Sequence, residues 1–408
     1  MNVPKLRFKE FDGEWEEKKL DSFVTFYSGL TYSPDDIVKE KGTLVLRSSN
    51  VQFGSIVNAD NVYVNPSVVN SEDVLEGDII VVVRNGSRNL IGKHAQVKRA
   101  MPNTVIGAFM TGIRSKVPNF LNVLLDTKQF QKEINKNLGA TINQITTGSF
   151  KKMSFLVSEN IKEQEKIGNF FEILDKKIQL QQQKIDLLQE QKKGFLQKMF
   201  PKAGETQPEM RFDGFIGDWE ECKLREVANH RGGTAIEKYF DDNGDYKVIS
   251  IGSYGLDNKY VDQNIRAISN DITDSRLVKK GELTMVLNDK TSNGTIIGRS
   301  LLIEKDNEFV VNQRTEIISP KTAFDSAFAY VTLNGPFREK VRKIVQGGTQ
   351  IYVNYSAVEN LNLLVPQIEE QKKIGSFFKQ LDNVITFQQQ KLELFQKQKD
   401  GFMQQMFI

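Results

Sequence analysis

The chain has 408 residues, of which 39% are hydrophobic and 26% charged, with 55 basic against 52 acidic side chains. That length exceeds one ordinary core and that composition suits a soluble globular protein, so two or more domains are expected. A single cysteine, Cys222, excludes an internal disulfide and a multi-cysteine zinc site, and two histidines, His94 and His230, argue against a histidine-rich metal centre. The longest aliphatic run, IIVVV (79–83), is far too short to span a membrane, and MNVPKLRFKEF carries no apolar signal core, so a cytoplasmic location with no membrane partner is expected.

The first element is a short block, 1–20. Its PKLRFKEFDGEWEEKKL (4–20) recurs as PEMRFDGFIGDWEECKL (208–224), ten of seventeen positions matching, and the pair holds both tryptophans, Trp15 and Trp219. Such an internal repeat governs everything that follows. From 21 to 157 the chain reads as mixed α and β with short strands, among them TLVLRSS (43–49), DIIVVVR (78–84) and VIGAFMTGIR (105–114). From Ile79 to Leu125 there is no acidic residue, while Arg84, Arg88, Lys93, Lys98, Arg99, Arg114 and Lys116 stand there with His94. An acid-free basic run of this length is the footprint of a polyanion-binding surface; a solvated basic face is the plainer alternative.

The loop RNGSRN (84–89) follows the aliphatic strand and presents Arg84, Asn85, Ser87 and Arg88. Arginine can bond guanine bidentately and asparagine or glutamine adenine in the major groove, while nearby cations hold phosphates. The stretch ATINQITTGSFKKM (140–153), with Asn143 and Gln144, is either a second readout loop or the segment joining domain to helix.

Residues 158–207 read as a long helix and a linker. Asn160 with Glu163 forms a capping-box pattern at its start. Apolar residues at Ile167, Phe171, Leu174, Ile178, Ile185, Leu188, Phe195 and Met199 follow a heptad stripe, interrupted by Gln181 and Lys192. Gly194 is expected to weaken the helix near its end, as is Gly401 in the second copy. PKAGETQP (201–208) reads as a flexible connector.

After the repeated block 208–224, residues 225–366 form a second mixed α/β segment with strands at YKVISIG (246–252), ELTMVL (282–287) and RTEIISP (314–320). It resembles the first segment only loosely. Its counterpart loop NDKTSNG (288–294) presents Asn288, Lys290 and Asn293; Arg299, Gln313, Arg314, Gln350 and Tyr352 complete the candidate contacts. A second helix, 367–408, is expected to start at Pro366, a residue tolerated in the first turn. Its stripe of Ile374, Phe378, Leu381, Ile385, Leu392, Phe395, Phe402 and Met406 is interrupted at Gln388 and Lys399, the positions matching the first interruptions.

The helices are the better-preserved part of the duplication. EQEKIGNFFEILD (163–175) returns as EQKKIGSFFKQLD (370–382), and QQQKIDLLQEQKKGFLQKMF (181–200) as QQQKLELFQKQKDGFMQQMF (388–407) with thirteen of twenty identities. A helix with such a stripe needs a partner. The simplest is the other copy, packed antiparallel about a pseudo-two-fold axis, with Gln181 and Gln388 as candidates for setting register; the alternative is that each helix packs only on its own domain. Like helices between unlike segments fit a common partner surface and two different readers.

Catalytic signatures are missing. GSRNLIGKH (86–94) has one residue too many between its glycines for a P-loop and lacks the Ser or Thr after the lysine. There is no NPPY-like tetrapeptide and no convincing Ser/His/Asp set. The chain reads as a binding and scaffold protein.

The order WEE-KL, variable segment, EQ-KIG-FF, helix, Met-Phe, written twice with INQITTGSFKK (142–152) in place, resembles the DNA specificity subunit of type I restriction–modification enzymes over essentially the whole chain. The resemblance implies two target-recognition domains, 21–157 and 225–366, each reading half of a split double-stranded DNA site. It also implies an antiparallel coiled coil between them, built on Phe171, Leu174, Ile178, Ile185 and Leu188 against Phe378, Leu381, Ile385, Leu392 and Phe395. The subunit alone has no catalytic activity in that family. It is a platform for two adenine-methylating modification subunits and two ATP-driven restriction subunits. S-adenosylmethionine, ATP and Mg2+ are then used by partners, with no cofactor or metal bound by this chain. A protein–protein adaptor with a coiled-coil spine and two ligand modules is the other reading.

Overall fold

A computed structural model describes residues 2–39, 41–52, 54–138 and 143–408; Ala140, Thr141 and Ile142 of the 140–153 stretch lie outside the described residues. The chain divides into two compact units: Met1–Gln182 with Gln390–Ile408, and Gln183–Gln389. The central helix runs Ile161–Lys198 and the terminal helix Ile368–Met406. Each unit therefore contains the first part of one long helix and the last part of the other. Both helices pass through Gly194 and Gly401 unbroken, and nothing lies within 4 Å of a Cβ added at either.

The helix starts differ in part from expectation. The Asn160 side-chain oxygen accepts the Lys162 and Glu163 N–H groups at 3.0 and 3.4 Å. The reciprocal arm of a capping box is absent, because the fully buried Glu163 carboxylate is held by Arg7 at 2.7 and 2.8 Å. The terminal helix begins two residues beyond Pro366, and its Glu370 carboxylate is likewise buried and held by Arg211, at 2.7 Å on both oxygens. A bidentate pair of this kind is strong when its carboxylate is dry and fully bonded. Each one ties a repeated N-terminal block to the start of a helix.

In the first unit, Glu16–Lys19 pairs antiparallel with Ser154–Val157. One antiparallel sheet has the order Val24–Ser28, Met110–Ser115, Ile79–Val82, His94–Gln96. A second has the order Thr104–Ile106, Thr43–Leu46, Val62–Val64, Ile37–Val38, its first pair parallel. The stretch expected as one strand at 105–114 is thus two strands in different sheets, turned at Gly107–Phe109, with the Met110 N–H donating to the Gly107 carbonyl at 2.8 Å. The helices Pro118–Asp126 and Lys128–Asn137 follow.

The second unit repeats this plan. Glu220–Lys223 pairs antiparallel with Asn362–Val365. Ala228–Gly232, Thr315–Pro320, Leu283–Val286 and Ser300–Leu302 form the four-stranded antiparallel sheet in the same order. Phe309–Val311 pairs parallel with Tyr246–Ile249, and Arg266–Ala267 joins its other edge. Helices Ser326–Asn334 and Pro336–Lys343 follow. Segments that are barely alike in sequence share one topology.

Each core is organised around its tryptophan. Trp15 packs edge-on to Phe120 and Phe407, with centroids at 6.5 and 5.9 Å, and Phe120 stacks on Phe407 at 5.8 Å. In the second unit Trp219 meets Phe328 and Phe200 at 5.8 and 5.6 Å, and Phe200 stacks on Phe328 at 5.8 Å. Phe407 and Phe200 come from the ends of the terminal and central helices. The Met-Phe pairs closing the two helices are thus core residues, buried as Met406–Phe407 and Met199–Phe200.

Within each unit the helix segments run antiparallel. In the first, Phe170 meets Phe402 at 5.1 Å, the Lys177 ammonium sits over Phe395 at 5.6 Å, and Lys399 pairs with Asp175 at 2.6 Å. In the second, Phe195 meets Phe377 at 5.0 Å and Lys192 pairs with Asp382 at 2.5 Å. Of the expected stripe, Phe171, Ile185, Phe378 and Ile385 are buried; Leu174, Ile178, Leu188, Leu381, Leu392 and Phe395 are half-buried. Gln181 and Gln388 are buried amides. The two lysine interruptions are the members of matched ion pairs, which fix which heptads face each other.

Phe407→Ala removes a ring that touches Trp15 and should cost about 3–5 kcal/mol. Followed by urea unfolding in a Trp219→Phe background, the Trp15 transition should move to lower denaturant; in a Trp15→Phe background the Trp219 transition should stay. Equal movement of both would show that the cores are not closed separately.

Burial disfavours the Lys399 ammonium, but Asp126 and Asp175 outweigh it and hold its pKa above the ordinary value. That contribution is complete below the unfolded lysine value of about 10.4 and fades as pH rises through the folded one. Lys399→Met should cost about 1–2 kcal/mol near pH 7, between exposed and buried pairs, and the gap to the wild type should narrow as pH rises past the ordinary lysine value; a pH-independent difference would assign the loss to packing.

Candidate nucleic-acid interface

The strand Ile79–Val82 ends in main-chain groups caught between two other segments. The Val83 N–H donates to the Phe109 carbonyl at 3.0 Å, the Ile145 N–H to the Val83 carbonyl at 2.8 Å, and the Asn85 N–H to the Asn143 carbonyl at 3.2 Å. Arg84 faces Gln144 in an isolated bridge. Its guanidinium lies 4.9 Å over the Phe109 ring, and Phe109 is 53% exposed. The Asn85 amide donates to the Ser48 hydroxyl at 3.0 Å and its oxygen accepts the Ser87 N–H at 3.0 Å; the Asn143 amide donates to the Gly86 carbonyl at 2.9 Å. Arg88 opens the exposed turn Arg88–Leu90. Six expected residues, Arg84, Asn85, Ser87, Arg88, Asn143 and Gln144, are thereby gathered on one loop pair.

The same lacing recurs in the second unit. The Leu287 N–H donates to the Arg314 carbonyl at 3.0 Å and the Val353 N–H to the Leu287 carbonyl at 2.9 Å. Asn288 pairs with Tyr352 and Asp289 with Ile351. Positions 84, 109 and 144 thus correspond to 288, 314 and 352, occupied by Arg, Phe and Gln in one unit and by Asn, Arg and Tyr in the other. The Asn288 side-chain oxygen accepts from Arg314 at 2.8 Å. Tyr352 is 40% exposed. Arg314 has φ +66°, a left-handed turn position that suits glycine or asparagine better.

The 288–294 loop is held by a buried carboxylate. Asp289 accepts the Thr291 and Ile296 N–H groups at 2.9 and 2.8 Å. Burial alone would raise its pKa, but those donors outweigh it and hold it below the ordinary range. Lys290 and Asn293 are exposed at the loop's outer side, and the Thr291 hydroxyl lies against the Asn293 side chain. Gln350 is exposed, while the Gln313 amide donates to Glu237 at 2.8 Å.

Three expectations for the basic run change. Arg114 is a structural residue: it pairs with the buried Asp78 at 3.1 Å and with Glu72, donates to the Asp73 carbonyl at 3.0 Å, and covers the Tyr27 ring at 4.5 Å. Its acids lie just before the acid-free run, so a count inside 79–125 misses them. Lys98 pairs with Glu172 at 2.9 Å. His94 is buried, with ring nitrogens 3.1 and 3.2 Å from the Gly92 and Asn122 carbonyls. Among the described residues, no carboxylate lies within ion-pair distance of Arg84, Arg88, Lys93, Arg99 or Lys116. Lys93 and Arg299 are equivalent: their carbonyls accept the Val82 and Val286 N–H groups at 2.8 and 3.0 Å. Phe109 was not foreseen from the sequence; its signal was the Gly107 break in an otherwise continuous strand pattern.

No group of three His, Cys, Asp or Glu side chains that could hold a metal ion occurs among the described residues. No helix there is long and apolar enough to cross a membrane.

A duplicated mixed α/β unit carried on antiparallel helices is matched by known proteins. The profile of the type I restriction modification DNA specificity domain fits residues 12–190 and again 216–395. The chain belongs to that family. The MjaVIII type I restriction enzyme specificity subunit of Methanocaldococcus jannaschii is 27% identical over 266 residues, a match spanning 60% of this chain and 61% of that one. The StySPI specificity subunit of Salmonella potsdam is 22% identical over 392 residues, 90% of this chain and 82% of that one. A crystal structure of a type I restriction–modification S subunit from M. genitalium shares the fold, with a TM-score of 0.64 at 15% identity, covering 100% of this chain and 99% of the other.

Arg114→Gln should destabilise the first unit by about 1–3 kcal/mol, since Asp78 is left buried and short of partners, and should leave the salt dependence of any DNA affinity unchanged. A shallower salt slope at equal stability would return Arg114 to the interface.

Proposed function

We propose that the chain is the non-catalytic DNA-reading subunit of a type I restriction–modification complex and recognises a bipartite, asymmetric duplex site. The observation that carries this is the equivalence of 84, 109 and 144 with 288, 314 and 352. Identical main-chain lacing presents different side chains, so each unit reads a different half-site with the same scaffold. Family membership and the two relatives' description as specificity subunits support it. Arginine and amide groups on exposed loops supply base-edge donors and acceptors, Phe109 and Tyr352 supply apolar contact, and Arg88, Lys93 and Lys116 hold phosphates.

The helices' outer faces support a reading of the partners. Leu180, Leu187, Phe387 and Leu394 are 53–61% exposed, lie seven residues apart on each helix, and match pairwise at an offset of 207. Apolar residues at heptad spacing facing water fit helices of a second protein. Two equivalent stripes fit two copies of one modification subunit. That subunit supplies S-adenosylmethionine-dependent adenine methylation, and two restriction subunits supply ATP- and Mg2+-dependent cleavage, all in the cytoplasm.

Replacing residues 21–157 with the corresponding segment of another such subunit should change one half of the methylated site and leave the other half and the spacer intact, as read by mapping methylated adenines in cells. Changes in both halves, or in neither, would sink the reading. Arg84→Ala should weaken binding by about 1–3 kcal/mol and relax one position of that half if it reads a base; uniform loss over all sequences would make it a phosphate contact.

A further inference from the structure

The second variable segment carries no acid-free basic run as long as 79–125, yet it holds a cluster of arginines assembled from two places in the chain. Arg299 donates through Nε to the Thr295 carbonyl at 2.8 Å, and through Nη1 to the Asn258 side chain. Arg338, on the helix Pro336–Lys343, donates through Nη2 to that same Thr295 carbonyl at 2.8 Å and to the Gly294 carbonyl at 3.1 Å, and through Nε to the Ile297 carbonyl at 2.9 Å. Two guanidinium groups thus converge on one oxygen at the foot of the 288–294 loop. Arg342 stands one helical turn beyond Arg338, with its Nε 4.0 Å from where a Gly294 Cβ would be.

Little neutralises this charge. Among the described residues neither Arg299 nor Arg338 has a carboxylate within ion-pair distance, and Arg342 has only the long contact to Glu339 at 3.6 Å. Asp257 attracts Arg299, and Glu339 and then Asp289 attract Arg338, from farther off, and the Asp289 oxygens are already used by the loop's own N–H groups. Burial, then the charges of Arg299 and Arg342, push the Arg338 guanidinium down to about 10; burial likewise lowers Arg299. A guanidinium is the last side chain to give up its proton, so the cluster stays charged and repulsive at neutral pH. Arg299 Nη2, Arg338 Nη1, and Nε and Nη2 of Arg342 have no partner among the described residues.

Among the described residues the first unit has no such cluster. Gly92 there abuts Ile134 as Gly298 abuts Val341, which makes the helices Lys128–Asn137 and Pro336–Lys343 equivalent. At the offsets of Arg338 and Arg342 from Val341 stand Gln131 and Asn135. Among the described residues, arginines gather at this place in the second unit and not in the first.

We propose that Arg299, Arg338 and Arg342 form a binding site for a phosphodiester of the DNA backbone at the foot of the 288–294 loop, an assignment that rests on the DNA-reading function above. Convergent guanidinium groups match the planar, bidentate demand of phosphate oxygens. The site anchors the second unit on its half-site without reading sequence, as the dispersed Arg88, Lys93 and Lys116 do for the first. Arg338 also positions the loop, because its bonds to Gly294, Thr295 and Ile297 hold the chain leaving it.

The test is salt-titrated binding of the full-length chain to random-sequence duplex DNA, comparing wild type with Arg342→Gln and with Arg299→Gln/Arg342→Gln. Neither variant touches the Arg338 bonds, and urea unfolding checks that stability is kept. Loss of one phosphate contact should make the slope of log K against log salt shallower by about 0.9, roughly an eightfold loss at 0.1 M salt. Unchanged slope and affinity in both variants overturns the site. If the wild type shows no salt-dependent duplex binding, the DNA-reading function itself fails. Titration with inorganic phosphate then decides what remains: saturable binding lost in the variants makes this a free-anion site and overturns the DNA assignment, and no binding overturns the site altogether.

Discussion

Each core is completed by the far end of the helix that starts in the other unit. Phe407 stacks on Phe120 beside Trp15, and Phe200 stacks on Phe328 beside Trp219. Neither aromatic cluster is complete until a long helix has delivered its last turn. The other repeated features serve that delivery. The buried Glu163 and Glu370 carboxylates, each gripped by an arginine, fix where a helix starts; the Lys399–Asp175 and Lys192–Asp382 pairs fix which turns face each other. Shifting one helix by a heptad would break an ion pair and withdraw a phenylalanine at the same time. This coupling explains why the blocks best preserved between the two copies are those that hold these residues.

Between those fixed points the variable segments are free to differ. Their shared topology is carried by main-chain pairing, which tolerates many side chains as long as the inward alternation is kept. The loops at 84–89 and 288–294 hang from the same hydrogen bonds, so their side chains change without altering the backbone that presents them. This is how one architecture carries two sets of loops whose sequences are barely alike.

The duplication, the helix stripes, the loop positions and the strands at 43–49, 79–82 and 283–286 were legible because their signals are local: periodicity, repetition and composition. What escaped was set by distance along the chain. Arg7 lies 156 residues from Glu163, so the capping arm expected of Glu163 was pre-empted by a residue no spacing rule reaches. Arg114 looked like a surface cation because its acids lie outside the window in which charge was counted. The strand at 105–114 was broken by a turn that hands its halves to different sheets, which is why Phe109 went unnoticed. Arg338 and Arg342 sit on a short helix about 40 residues after Arg299, and only the fold brings them to the loop.

The Leu6 N–H donates to the Gln405 carbonyl at 2.9 Å, and the equivalent Met210 N–H to the Lys198 carbonyl at 2.8 Å. In the second unit the 201–208 connector joins the two sides of this joint along the chain; in the first, the block and the helix end stand about 400 residues apart in sequence and meet in the same way. The joint is therefore held by its own main-chain bond and aromatic packing, and not by a covalent link between its halves.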